Sequence, residues 1–304
     1  MKVTFLGTGA GIPAKERNVS SIALHLHNDS LFWLFDCGEA TQHQILHTPI
    51  KLRKINSIFI SHLHGDHIFG LPGLLGSRSF QGAETPLTVY GPVGIQHFIE
   101  TSLKVSTTYL KYPIHFKELE NDGVIYEDNE YIVTTQLLEH GIDSYGFRVD
   151  QKEQAGSLLM DKVVAAGIPP GPILKDLKVG RSVTLQDGRV FHGEDFIGPP
   201  KKGKSVAVLG DTRFSSRSIA LCKGVHTLVH EATFAHKDEQ IAHEYFHATT
   251  EEAAKVAKLS RVEQLILTHI SSRYQKDDMK QLLLEAKEVF PQTYIAEDLK
   301  TFQI

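Results

Sequence analysis

Cysteine is scarce in this chain. Cys37 and Cys222 are the only two, and neither sits in a metal-type or redox-type spacing. That excludes a disulfide-stapled scaffold and fits a reducing, cytoplasmic setting. The Asn-x-Ser matches at Asn18 and Asn28 are then chance. Apolar runs of membrane-spanning length are also missing. The first strand-like stretch, 2–6, meets Gly7 without the apolar core of a signal peptide. A basic excess is missing too: Lys and Arg total 32 against 36 Asp and Glu, a formal net charge of −4. This argues against a protein that coats nucleic acid non-specifically. It leaves room for a site whose local charge is reversed by bound metal or a basic patch.

Histidine, by contrast, is plentiful at 17 residues, which directs attention to clusters of it. Short strands with Gly-, Asn- and Asp-containing turns fill the first half: 2–6, 19–26, 31–35 and 87–90. The stretch 55–60 is nearly unbroken in apolar residues, as a strand covered on both faces should be. Strands resume over 114–149, and a helical pattern passes through Phe98, Ile99 and Leu103. The segment 151–203 is different in character, with Pro169, Pro170, Pro172, Pro199 and Pro200 and scattered lysines, and reads as an outward-projecting insertion or a solvated loop. Strands at 205–209, 225–230 and 265–268 follow. A helix from Glu251 should be capped by Thr249, with Glu252 closing the box. Met279, Leu282, Leu283, Ala286 and Phe290 mark a last helix, stopped by Pro291.

The strongest chemical signal is His62-Leu63-His64-Gly65-Asp66-His67, directly after the 55–60 strand. On extended backbone His62 and His64 point the same way. Asp66 and His67 follow a glycine that lets the chain turn. Four ligand-type residues in six positions can thus face two neighbouring metals, and imidazole with carboxylate suits catalytic zinc. Ile58-Phe59-Ile60-Ser61-His62 is echoed by Leu265-Ile266-Leu267-Thr268-His269, which puts both histidines at strand ends, where open α/β sheets place their sites.

The HxHxDH motif resembles that of the metallo-β-lactamase superfamily, which implies an α/β fold, an αββα sandwich with metals between the edges of two sheets. His140, Asp211 and His269 each follow a strand in the order that resemblance requires. The glycine-rich 7–11 loop with Pro13, Lys15, Arg17 and Asn18, the Asp36-Cys37-Gly38-Glu39 run and His230-Glu231-Ala232-Thr233 narrow it to the tRNase Z family, short bacterial form. The resemblance spans the whole chain. It implies a catalytic domain over 1–150 and 204–304, and an inserted flexible arm over 151–203 that grips tRNA. One zinc would lie on His62, His64 and His140, a second on Asp66, His67 and His269, with Asp211 bridging: two Zn2+ per subunit. Asp66, His247 and Glu231 would be catalytic. Lys15, Arg17, Asn18, Lys175, Lys178 and Arg181 would contact substrate. The implied reaction is removal of the 3′ trailer from precursor tRNA by two-metal hydroxide attack, leaving a 3′-OH and a 5′-phosphate. A homodimer is implied, with neither membrane nor DNA as partner. Where the family carries His-Ser-Thr, this chain has His247-Ala248-Thr249.

Three other readings compete. His243-Glu244-Tyr245-Phe246-His247 matches the zinc-protease HExxH pattern, but a cap at Thr249 places His247 at a helix junction rather than on one continuous helix. A small-molecule phosphodiesterase or arylsulfatase could use the same metal centre, though a small substrate needs no distant grip. A non-catalytic RNA-binding scaffold would tolerate ligand losses, and none is seen.

Overall fold

Strands that are apolar on both faces must be covered on both, which requires at least two layers beyond the sheet itself. The computed structural model describes residues 1–26 and 31–304, so the Asn28 sequon lies outside the described part. One sheet of seven strands runs, edge to edge, Thr301–Gln303, Lys2–Gly7, Ser21–His25, Phe32–Phe35, Ile55–Phe59, Leu87–Pro92 and Ile114–Leu119. Its first four strands pair antiparallel and the last four parallel. A second sheet of seven runs Thr293–Ile295, Gln264–Thr268, Thr227–Glu231, Ser205–Leu209, Tyr145–Gln151, Tyr131–Leu137 and Gly123–Glu127.

The two-residue alternation of a strand divides the work. Phe32, Leu34, Ile58 and Ile60 pack outward with Leu71, Leu74, Leu75, Ile95 and Ile99 of the helices Leu71–Phe80 and Ile95–Val105. Trp33, Phe35 and Phe59 point the other way, into an aromatic layer between the sheets. There Phe35 stacks on Phe59 at 5.0 Å, Phe59 on Tyr90 at 4.7 Å, and Phe147 of the opposite sheet closes on Phe59 at 5.5 Å. Behind the second sheet, helices Thr250–Ser260 and Asp278–Val289 bury Ala253, Ala257, Leu282 and Ala286 against Leu228, Leu265 and Leu267. The result is an αββα sandwich. The capping box at Thr249 and Glu252 forms as its sequence suggests, and the last helix ends at Val289, just before Pro291.

The chain divides into two compact units, one of residues 1–126, 133–149 and 205–304, the other of 127–132 and 150–204. The second unit carries the short helices Met160–Ala165 and Ile173–Lys178 and an antiparallel pair, Val183–Thr184 with Val190–Phe191. Val163, Ile168, Leu177, Val183 and Phe196 give it a small core of its own, so this stretch is more than a solvated loop. Among the described residues no helix is long and apolar enough to cross a membrane.

Candidate metal centre

The strand Ile55–Phe59 delivers its C-terminal end straight into Ser61 and the histidine motif. The chain then folds into the one-turn helix Gly65–Ile68. Asp36 to Gly38 lie directly against this turn: the Cys37 N–H donates to the His67 carbonyl at 2.8 Å and the Gly70 N–H to the Cys37 carbonyl at 2.9 Å. A Cβ at Gly38 would stand 2.3 Å from the Asp66 carbonyl oxygen, so only glycine permits the approach. His140, Asp211, Glu231 and His269 come from the ends of four strands of the second sheet.

Overlapping groups of ligand atoms meet at this edge, one of them of Asp211, His247 and His269, another of His62, His67 and Asp211, and two more divide the motif's ligands. His62, His64 and His140 form one; Asp66, His67 and His269 form the other; within each group all atoms lie within 4.8 Å of one another. His64 Nδ1 faces His140 Nε2 at 3.3 Å, and His67 Nε2 faces His269 Nε2 at 3.3 Å. Asp211 stands between the groups. Its Oδ2 is 3.6 Å from His62 Nε2 and 3.4 Å from His269 Nε2, and its Oδ1 is 3.6 Å from His67 Nε2.

Whether these residues suit a metal is decided by which ring nitrogen each histidine has free. Asp36 Oδ2 accepts from His67 Nδ1 at 2.8 Å. Ser61 Oγ gives its own proton to Asp36, so it accepts from His62 Nδ1 at 2.9 Å. Thr233 Oγ1 donates to Glu231, so it accepts from His269 Nδ1 at 2.9 Å. The Phe246 carbonyl accepts from His140 Nδ1 at 2.9 Å. All four rings thereby carry a proton on Nδ1 and turn Nε2 inward, the nitrogen that a metal would take in place of any second proton. His62 Nε2 is buried with no hydrogen-bond partner, which a ligand role explains.

The charge balance agrees. Burial opposes a charge on His67, yet Asp211 and Asp36 outweigh it and hold that imidazole well above its ordinary value. Burial would also raise Asp66, but hydrogen bonds from His269 and His67 pull it far below the carboxylate range. Desolvation, with His67 beside it, pushes His62 well down and keeps it neutral. Carboxylates that draw a proton to one buried histidine while another stays neutral also draw a cation. Nitrogen and carboxylate donors in this set fit zinc-class ions.

A family model described as beta-lactamase superfamily domain matches residues 195–270, and one described as anti-Pycsar protein Apyc1 matches residues 1–143. The chain is 57% identical over 305 residues to the ribonuclease Z of Bacillus cereus (strain G9842), covering 100% of this chain and 99% of that one. The chain belongs to the ribonuclease Z family. The ribonuclease Z of Bacillus thuringiensis (strain Al Hakam) is likewise 57% identical over 305 residues, with the same coverage. The crystal structure of human tRNase Z, short form, superposes with a TM-score of 0.72 at 31% identity, over 100% of this chain and 99% of that one.

Beside these ligand groups stands a further arrangement. His247 Nδ1 bonds Glu231 Oε1 at 2.8 Å and lies 3.8 Å from Asp211 Oδ2. Glu231 is buried, and its oxygens also accept from the Thr212 and Thr233 N–H groups. Burial works against charge on His247, but Glu231, its hydrogen bond and then Asp211 push that imidazole up to about 9. Burial raises Glu231 as well, and His247 overrides it to leave the carboxyl below its usual range. The HExxH match does not form a site. The helix Glu239–Glu244 ends before His247, and His243 turns instead to Glu252 at 2.8 Å.

The other expected contacts are more scattered. The N-terminal loop does reach the centre, through the Gly11 N–H on Asp66 Oδ2 at 2.8 Å. Lys15 is exposed beside a cleft of about 970 Å³ that Arg17, Lys276, Lys280 and Lys300 also line. Arg17 itself is turned inward, donating to Thr8 Oγ1 and the Ala296 carbonyl, each at 2.7 Å. Asn18 donates to Asp298 and to the Glu39 carbonyl. Lys175, Lys178 and Arg181 are exposed in the second unit, Arg181 pairing with Asp176 at 3.3 Å. Sequence reasoning missed Asp36 as a partner of His67, and Ser61, Thr233 and the Phe246 carbonyl altogether. Only the hydroxyl before each echoed histidine offered a signal, and for one of the two.

Proposed function

We propose that this chain is the endoribonuclease that removes the 3′ trailer from precursor tRNA, in the cytoplasm, with two zinc ions per subunit. The observation that carries the reading is the pair of inward-facing ligand groups joined by Asp211, with the His247–Glu231 pair at their side. His62, His64 and His140 would hold one ion, Asp66, His67 and His269 the other, and Asp211 both. Bound there, zinc supplies Lewis acidity toward the phosphoryl oxygens and a lowered pKa for the attacking water.

The chain's own residues do the rest. Asp66, anchored by the Gly11 N–H, would orient or deprotonate the nucleophile. In-line attack opens the bond between phosphorus and the 3′ oxygen. His247 gives that oxygen a proton from Nε2, while Glu231 holds the ring by Nδ1 and favours its charged form. The products are a tRNA ending in 3′-OH and a trailer beginning with 5′-phosphate. Ala248 in place of serine leaves this geometry untouched, since the His247 partners lie elsewhere.

The second unit would serve as the tRNA-gripping arm, with Lys175 and Lys178 as phosphate contacts. Arg181, paired to Asp176, is the weaker candidate for that role. A homodimer is the expected assembly, with neither membrane nor DNA as partner. Cleavage of a 3′-extended precursor tRNA by zinc-loaded protein, with end mapping and a metal-stripped control, tests the reading. A metal-dependent cut at the discriminator leaving 3′-OH supports it. No cut, with rapid turnover of small phosphodiesters, keeps the metal centre and overturns the substrate.

A further inference from the structure

The first histidine of the HExxH match is left without a role in the centre described above, and its surroundings give it one. Glu239 and His243 are four residues apart on the helix Glu239–Glu244, so their side chains share one face. Glu252, at the third position of the next helix, reaches back toward them, and its Oε1 lies 2.8 Å from His243 Nε2. One ligand atom from each of the three lies within 4.8 Å of the others. We propose that Glu239, His243 and Glu252 form a further binding site for a divalent zinc-class ion, distinct from the two-ligand-group centre.

The donors suit such an ion: one imidazole and two carboxylates leave several positions for water. Glu252 is already fixed for the task. Its other oxygen accepts from the Thr249 N–H at 2.9 Å and the Thr249 hydroxyl at 3.1 Å, as an outer partner orients a ligating carboxylate. Lys255 hydrogen-bonds Glu251 at 2.7 Å, and Glu252 and Glu239 act on it only through their charge. Access is open, because the His243 side chain is 51% exposed while the Glu252 side chain is 8% exposed.

The site's position gives it a consequence. Residues 244–251 form the connection between its ligands, and that connection carries Phe246, held at φ 61°, and His247. The same turn is pinned from the other side by Arg213, which lies 3.9 Å over the Phe246 ring and donates to the His243 carbonyl. An ion joining His243 to Glu252 closes this loop at its two ends. Binding therefore stabilises the native chain, with the logarithm of free metal once the site is mostly filled. The inference does not rest on the reading of His247 as a proton donor or on tRNA as substrate.

The test titrates Zn2+ into holoenzyme already loaded at its main centre, by calorimetry and by thermal denaturation. His243→Asn and Glu239→Gln are the variants; both alter side chains at the surface and leave the main ligands in place. The expected result is one additional equivalent bound by the unaltered chain, with a melting point that rises with Zn2+. Both variants should lose affinity for that equivalent at least by the roughly 10–100-fold that even an outer-shell partner contributes. Their metal content at the main centre should be unchanged. Equal additional binding and equal melting shifts in all three proteins overturn the site. Loss of main-centre metal in either variant overturns its separateness. Failure to cleave precursor tRNA would bear on the proposed function alone.

Discussion

Asp36→Asn offers a sharp test of how the centre is built, because it changes one atom and leaves shape intact. Asp36 sits at φ 57°, a left-handed position that asparagine tolerates, so the backbone is not disturbed. In the present structure Oδ1 accepts from the Ser61 N–H at 2.7 Å, while Oδ2 accepts from the Ser61 hydroxyl at 2.8 Å and His67 Nδ1 at 2.8 Å. An asparagine amide has one oxygen and one NH2 for these places. If the NH2 faces Ser61, two donors confront each other. If it faces His67, the ring must accept at Nδ1 and carry its proton on Nε2, which removes the lone pair that meets Asp66, Asp211 and His269. Either choice undoes part of the orientation. An outer-shell partner of this kind is worth about 10–100-fold in metal affinity, or about 1.4–2.8 kcal/mol. The assay is competition for zinc against a chelator of known affinity, with circular dichroism to confirm that the variant is folded. A folded variant that holds zinc as tightly as the original would refute the claim that Asp36 sets the His67 ring.

Four further outcomes follow from the same geometry. His247→Ala should slow the cleavage step by about 10²–10⁴-fold in single-turnover kinetics while zinc content stays level; loss of zinc would make His247 a ligand. Removing residues 151–203 should weaken precursor-tRNA binding, measured by filter retention, and spare hydrolysis of bis(p-nitrophenyl) phosphate; equal loss of both would end the arm hypothesis. Thr249→Ala removes the side-chain half of the capping box, leaving the residue-249 N–H on Glu252, and should cost about 1 kcal/mol in denaturant unfolding. Burial pushes the thiols of Cys37 and Cys222 far up, so neither should react with a thiol reagent at neutral pH until the chain unfolds.

The legible part of the site is the part carried by side-chain type. Few residues can ligate a metal, so His62, His64, Asp66 and His67 crowded after an apolar strand are conspicuous, and the both-faces burial of 55–60 follows from composition alone. His140, Asp211 and His269 needed the added knowledge that they follow strands. What stayed hidden is orientation. Asp36 is separated from His67 by 31 positions, and nothing local distinguishes it from any aspartate that ends a strand. The Phe246 carbonyl that aims His140 is a backbone atom, which every residue has. Arg17 misled for the opposite reason: a cation in a glycine-rich loop suggests an outward contact, yet Thr8 and the Ala296 carbonyl hold it inward. The small core of the second unit was hidden because Val163, Ile168, Leu177, Val183 and Phe196 follow no single period and lie among prolines.

Glu231 shows how orientation settles a role that residue type leaves open. A carboxylate at a strand end beside two ligand groups could itself be a ligand. Its oxygens, however, are fully engaged: Oε1 takes the Thr212 N–H at 3.0 Å and His247 Nδ1 at 2.8 Å, and Oε2 takes the Thr233 N–H at 3.1 Å and the Thr233 hydroxyl at 2.6 Å. Four donors on a buried carboxylate leave no lone pair to offer a metal. The same bonds do two other things. They fix one nitrogen of His247 and free the other. They also turn the Thr233 hydroxyl so that it must accept from His269, which aims that ring's Nε2 at Asp66 and Asp211. One buried carboxylate therefore sets both the expected proton donor and a ligand of the neighbouring group, and its removal should disturb zinc affinity and the cleavage step together, whereas removal of His247 should disturb only the second.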